Sequence, residues 1–156
     1  MEKTFAIIKP DAVESKSAGK ILSRIEAEGF RIVALKSHRM TKAEAEAFYA
    51  EHVAKGFFRA LVAYMTSGPV YVAVLERADA VAHWRTTMGV TDPAKADAGT
   101  IRKELGQSIE RNAVHGSANA SDAARDIAQG CNRNHKADVL DREHSEQREE
   151  CQRHQP

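Results

Sequence analysis

Four short runs with strand character, set between stretches of helical periodicity, constrain this chain more than any other feature. Thr4-Phe5-Ala6-Ile7-Ile8 reads as a buried strand, closed by Lys9-Pro10-Asp11. Proline cannot donate to a ladder, so Lys9 is expected at a strand exit. Residues 31–36 form a second run, and residues 70–75 a third that is apolar throughout. The fourth, residues 112–115, carries a histidine, and Gly116 is expected to turn the backbone sharply away from it. Alternation of strands with helices predicts, by itself, a parallel sheet.

The helical stretches are marked by periodicity and caps. Ile21, Leu22 and Ile25 share a face that stops at Gly29, after a polar loop at residues 14–17. Thr41-Lys42-Ala43-Glu44 is a capping-box pattern, and its helix leads to Phe48 and Tyr49. Phe58, Leu61, Val62 and Met65 fall at i, i+3, i+4 and i+7, and Thr66-Ser67-Gly68-Pro69 ends that stripe. Asp79 is placed to cap a helix bearing Val81, Trp84 and Met88, with Trp84 in the core and Gly89 as terminator. Residues 91–111 read as a long, mostly irregular segment, which in a compact domain suggests a binding loop. Residues 120–128 make a last short helix.

From Gln129 the character changes. Residues 129–156 hold no aromatic side chain and many Arg, Glu, Gln and His, so they are expected to form a polar tail too poor in apolar surface to offset its ordering entropy. Both cysteines, Cys131 and Cys151, lie there, so the body of the fold cannot depend on disulfides. Cys131, His135, His144, Cys151 and His154 fit no closed zinc pattern. The folded unit is therefore one domain, residues 1–128.

Charge and motifs then exclude function classes. With 23 Lys and Arg against 22 Asp and Glu, the net charge of +1 gives no general attraction to nucleic acid or membrane. No apolar run approaches the roughly 20 residues of a membrane helix. Residues 1–4 have no signal-peptide core, so a cytoplasmic protein is the expectation. Gly19-Lys20 is followed by Ile21 rather than Ser or Thr, which excludes a P-loop, and no Gly-x-Gly-x-x-Gly occurs. Zinc ligand pairs are missing from residues 1–128.

What remains is His115 within Arg111-Asn112-Ala113-Val114-His115-Gly116-Ser117. An imidazole with a pKa near ~6.5 is largely neutral at pH 7 and can attack phosphorus. Arg85, Thr91, Arg102 and Asn112, with Lys9 and Tyr49 at other element ends, supply cations and hydroxyls of the kind that neutralise and grip a chain of phosphates. His38, His52 and His83 read as incidental surface side chains.

Taken together, Ile7-Ile8-Lys9-Pro10-Asp11, Phe48-Tyr49, Phe57-Phe58, Met65-Thr66-Ser67-Gly68-Pro69, Gly99-Thr100-Ile101-Arg102 and the seven-residue histidine block closely resemble the nucleoside diphosphate kinase family over residues 1–128. The resemblance implies an α+β, ferredoxin-like fold with a four-stranded antiparallel sheet and helices packed on it, against the parallel sheet that alternation suggests. It implies a ping-pong phosphotransferase in which Nδ1 of His115 takes the γ-phosphate of a nucleoside triphosphate and passes it to a diphosphate. By similarity, Arg85, Thr91 and Arg102 hold the phosphates, Lys9 and Asn112 the sugar hydroxyls, and Tyr49 sits beside the transferred group. Phe57 and Ile109 sandwich the base, which implies broad base specificity. Ser117 and Asp126 orient the imidazole. Mg2+ arrives on the nucleotide with no metal site of the protein's own. The partners implied are nucleoside di- and triphosphates and further copies of the chain in a tetramer or hexamer, with no membrane and no specific nucleic acid.

Two departures bear on rate. The family usually has Glu where this chain has Asp126, one methylene shorter, and Asp where it has Ala118. Losing one orienting hydrogen bond costs on the order of 1 kcal/mol, or less than tenfold in rate. Two other readings remain from the residues: a catalytically silent nucleotide-binding or regulatory module of the same fold, and a histidine phosphohydrolase with Asp126 as its acid.

Overall fold

A computed structural model describes residues 1–132 of the chain. The expected tail beyond them, with His135, His144, Cys151 and His154, lies outside the described residues. The elements in order are β1 (Glu2–Ile8), α1 (Pro10–Glu14), α2 (Ala18–Ala27), β2 (Arg31–His38), α3 (Lys42–Phe48) and α4 (Phe58–Met65). They continue with β3 (Val70–Arg77), α5 (Ala80–Met88), α6 (Ile101–Leu105), β4 (Val114–Gly116) and α7 (Ala120–Asn132).

The strands form one sheet in the order β2-β3-β1-β4, with every neighbouring pair antiparallel. This is the ferredoxin-like arrangement, and the parallel sheet suggested by alternation alone is not what forms. The reason lies in the strand order: β3 lies between β1 and β2, and β1 between β3 and β4, so the helix-linked pairs β1/β2 and β3/β4 are not neighbours. The side-chain period of two lets an inner strand fill two cores. Ala6 and Ile8 of β1 join Ile21, Ile25, Phe30, Leu75, Trp84 and Met88 on one face, beneath α2 and α5. Phe5 and Ile7 join Met40, Tyr49, Val62, Met65 and Val74 on the other, with Ile127 of α7 packed against them. Antiparallel pairing needs no crossover helix between neighbours, so helix-strand alternation did not report strand direction.

Local signals fare unevenly. The capping box at Thr41 is present in full, and Gly29 and Gly89 end their helices at φ 81° and 85°. Asp79 does not cap α5. Its backbone is left-handed (φ 52°) and its side chain accepts no cap bond; the Val81 amide donates instead to Glu2 Oε1 at 2.7 Å, a carboxylate from the far end of the chain's first strand. The segment expected to be irregular, residues 91–111, contains α6, which Thr100 caps by accepting from the Lys103 amide. Before the polar loop expected at residues 14–17 the chain forms α1, which ends at Glu14 and in which proline takes the first helical position that suits its missing donor. Helix α7 runs to Asn132, past the expected end at residue 128.

Candidate active site

β4 is only three residues long, and it places His115 opposite Ile7 of β1. The approach to it is unusual. Ala113, fully buried, has φ 70°, and the Val114 amide donates to the Asn112 carbonyl at 2.8 Å. An i to i+2 bond around a residue with positive φ is the rare, strained form of γ-turn. For a residue with a Cβ, such a conformation costs on the order of 1–3 kcal/mol and persists only where the surroundings hold it.

They do hold it. The Ala113 amide donates to Asp11 Oδ2 at 3.1 Å, and its carbonyl accepts from the Lys9 amide at 2.9 Å. Arg102 Nη2 donates to the Val114 carbonyl at 2.9 Å, and Trp84 Nε1 to the His115 carbonyl at 3.3 Å. Asn112, almost fully buried, accepts from Lys9 Nζ at 2.7 Å and donates through Nδ2 to the Thr91 carbonyl at 2.9 Å. Gly116 is not a turn glycine. A Cβ on it would fall 2.5 Å from the Trp84 indole and 2.7 Å from Met88 Cε, so its role is to let α5 approach the strand that carries the histidine.

The imidazole of His115 lines a cleft of about 1000 Å³ together with Lys9, Tyr49, Arg85, Thr91, Arg102 and Asn112. Phe57 and Ile109 stand on the same cleft, 46% and 58% exposed, which for large apolar side chains marks surface available to a ligand. The ring is half-buried. It makes edge contacts with Phe48 and Tyr49, at centroid distances of 5.3 and 6.0 Å.

The electrostatics follow from this enclosure. Burial pushes the His115 pKa down to about 3, with Lys9, Arg102, His52 and Arg125 opposing a further positive charge. The ring is therefore neutral at physiological pH and has a lone pair to give. Burial and then Arg102 lower Lys9 to about 8, against the pull of Asp11, and burial and then Arg85 lower Arg102 to about 10. Arg102 Nη1 donates to the Gly89 carbonyl at 2.9 Å, while its buried Nε has no partner. The buried Tyr49 hydroxyl also has none, and burial, then Asp126, raises its pKa. Three cationic side chains and orphaned donors in one cleft make a binding site for a polyanion.

Ser117 and Asp126 stand behind the strand, both almost fully buried, with Ser117 Oγ 2.7 Å from Asp126 Oδ2. The other oxygen, Oδ1, accepts from Arg125 Nε and Nη2 at 3.3 and 3.1 Å. Neither residue hydrogen-bonds the His115 ring, against the expectation that the pair orients it: Asp126, one methylene shorter than glutamate, has its oxygens on Ser117 and Arg125.

Two residues were passed over in the sequence. His52 is not incidental: it lines the cleft, its ring stacks near Tyr49 at 6.3 Å, and its buried Nδ1 is unpartnered. The signal was its spacing of three from Tyr49, which in a tight helical turn puts both on one face. Asp11, quoted within a motif but given no role, proves to be a buried ligand of the strained turn. His38 and His83 are held by Glu44 and Glu28 at 2.8 and 2.9 Å, away from the cleft. Among the described residues no cluster of three or more His, Cys, Asp and Glu could hold a metal ion, and no helix is long and apolar enough to cross a membrane.

Comparisons with known proteins place the chain among relatives of one family. A family model described as nucleoside diphosphate kinase matches residues 2–134. The nucleoside diphosphate kinase of Sorangium cellulosum (strain So ce56) is 55% identical over 128 residues, 82% of this chain and 89% of that protein. That of Geotalea daltonii is 56% identical over 127 residues, 81% of this chain and 93% of the relative. Among solved structures, Aquifex aeolicus nucleoside diphosphate kinase superposes with a TM-score of 0.80 at 42% identity, covering 82% of this chain and 93% of that one. The enzyme of Halobacterium salinarum, solved in complex with CDP, gives 0.80 at 41% identity over 82% and 86% of the two chains.

Proposed function

The chain belongs to the nucleoside diphosphate kinase family, and from that premise we propose that His115 is the residue through which it moves a phosphoryl group. The chain is an enzyme of that family and transfers the terminal phosphate of a nucleoside triphosphate to a nucleoside diphosphate. The observation that supports the assignment is a neutral imidazole on the wall of a cleft that Lys9 and Arg102 also line.

In the first half-reaction the lone pair of Nδ1 attacks the γ-phosphorus, the bond to the bridging β-oxygen breaks, and the diphosphate leaves. In the second, a terminal oxygen of the acceptor diphosphate attacks the same phosphorus and the P–N bond breaks. No proton need be removed from the ring first, because burial has already made it neutral. The charges of Lys9 and Arg102, which disfavour an imidazolium, favour a phosphoryl group carrying negative charge in the same place. The transition state asks for alignment and neutralisation rather than covalent help.

Arg85, Thr91 and Arg102 grip the phosphates, Lys9 and Asn112 the sugar hydroxyls, and the unpartnered Tyr49 hydroxyl faces the transferred group. Phe57 and Ile109 hold the base by its faces, so the enzyme discriminates little among bases. Ser117 and Asp126 pair with each other next to β4 and act on the imidazole through no hydrogen bond of their own. The cationic lining does not suit a free cation, and Mg2+ is carried in on the nucleotide phosphates, where it neutralises charge. The CDP in the Halobacterium relative supports a diphosphate as the acceptor. β2, at the sheet edge with Val33 and Leu35 40% and 48% exposed, supports a homo-oligomer, and we place the enzyme with its nucleotides in the cytoplasm.

Initial velocities with the magnesium complexes of a triphosphate donor and a diphosphate acceptor test the mechanism. Parallel double-reciprocal lines are expected, with similar rates for purine and pyrimidine acceptors. Intersecting lines would mean a ternary complex and no phosphohistidine.

A further inference from the structure

We propose that Asp11 and Tyr64, to which the motifs assign no part in the reaction, are positioning residues that hold the strained turn from which His115 is presented. The inference rests on His115 being the phosphoryl carrier. The strand bearing the histidine is too short to fix its own entry: three residues pair with β1, and the residue before them is Ala113 at φ 70°. Alanine relaxes from that conformation unless its peptide groups are held.

The side chain that holds the Ala113 peptide directly is Asp11, through Oδ2. Asp11 is 3% exposed and sits in the first turn of α1, just after Lys9, which stands at the N-cap of that helix past the end of β1. Its other oxygen, Oδ1, accepts from the Tyr64 hydroxyl, and that hydroxyl also accepts from the Asp11 amide at 3.3 Å. Tyr64 belongs to α4, and its ring lies 5.3 Å beneath the guanidinium of Arg111. One chain of contacts thus runs from α4 through Tyr64 and Asp11 to the turn, with a second branch from Tyr64 to Arg111, the residue before Asn112. Neither Asp11 nor Tyr64 hydrogen-bonds the imidazole, and although Tyr64 borders the cleft its hydroxyl is bound to Asp11, so both act through the backbone.

Relaxation at Ala113 would rotate Asn112 away from Lys9 and Thr91 on one side and His115 out of line on the other. A displacement of that kind slows transfer more than it weakens binding, because the phosphate ligands Arg85 and Arg102 lie on other elements.

The test is single-turnover labelling of His115 in the full chain by saturating γ-labelled ATP with magnesium. Asp11→Ala is expected to slow labelling between roughly tenfold and a hundredfold while KM moves less, and Tyr64→Phe to slow it by a smaller factor. The deciding variant adds Ala113→Gly to each. Glycine takes positive φ without strain, so it should restore most of the lost rate in both backgrounds. Wild-type labelling rates in Asp11→Ala and Tyr64→Phe, or no recovery with Ala113→Gly, would overturn the proposal. Should Asp11→Ala not fold, the Tyr64→Phe pair decides by the same criterion. A wild-type chain that takes no label would overturn the His115 assignment instead.

Discussion

Asp126 sits one methylene back from where a family glutamate would reach, and its two oxygens are already taken by Ser117 and Arg125. Asp126→Glu should bring a carboxylate to the ring and raise turnover by up to about tenfold, the worth of one orienting hydrogen bond. An unchanged or lower kcat would show that the ring is oriented by its contacts with Phe48 and Tyr49 alone. Gly116→Ala tests the close packing behind the histidine. With a new methyl 2.5 Å from the Trp84 indole, it should cost about 1–3 kcal/mol, read as a lower urea midpoint, and an unchanged midpoint would contradict the packing argument. That Lys9, Asn112, Arg102 and His115 share one cleft was legible, because polar and cationic side chains placed at element ends face the same opening. The cause of Gly116 was not, since its neighbours Trp84 and Met88 are distant in sequence.

At the level of elements, what could be read from sequence was whatever is local. Stripes such as Phe58-Leu61-Val62-Met65 and the Thr41-Glu44 box depend on spacing within one helix, and both appear as expected. Asp79 failed as a cap because Glu2, from another element, takes the position. Alternation failed to give strand direction for the same reason, and the antiparallel sheet came from the family resemblance: direction is set by which strand lies beside which, and helical periodicity carries no such information. Helix α7 extends past residue 128, and Gly130 lies so close to Phe5 that a Cβ there would sit 2.5 Å from the ring. Gln129 and Gly130 also wall a small pocket with Phe5, Ile7 and Phe48, the last an edge contact of His115. Truncation after Ala128 should therefore lower Tm, by roughly 3 °C for each kcal/mol of packing removed. An unchanged Tm in a thermal scan would mean that this last turn contributes nothing.

For the molecule as a whole, the enclosure that makes the ring neutral has consequences for pH. The His115 pKa is about 3 in the fold against about 6.5 in an unfolded chain. Between those values the unfolded chain binds more protons, so stability is fully present above about pH 6.5 and falls as pH drops toward 3. The urea midpoint of His115→Asn should accordingly lose less than that of the wild type between pH 7.5 and pH 5; equal losses would contradict the shift. For catalysis, kcat/KM with the magnesium nucleotide should show no His115 limb between pH 5 and 8, and should fall above about 8 as Lys9 loses its proton. The measurement closest to the central claim is transfer of label from γ-labelled ATP to the protein in the presence of magnesium. The account predicts acid-labile, alkali-stable label on His115, absent from His115→Asn and discharged by an added nucleoside diphosphate to give labelled triphosphate. No label on the wild type, or label that only water removes, would contradict it.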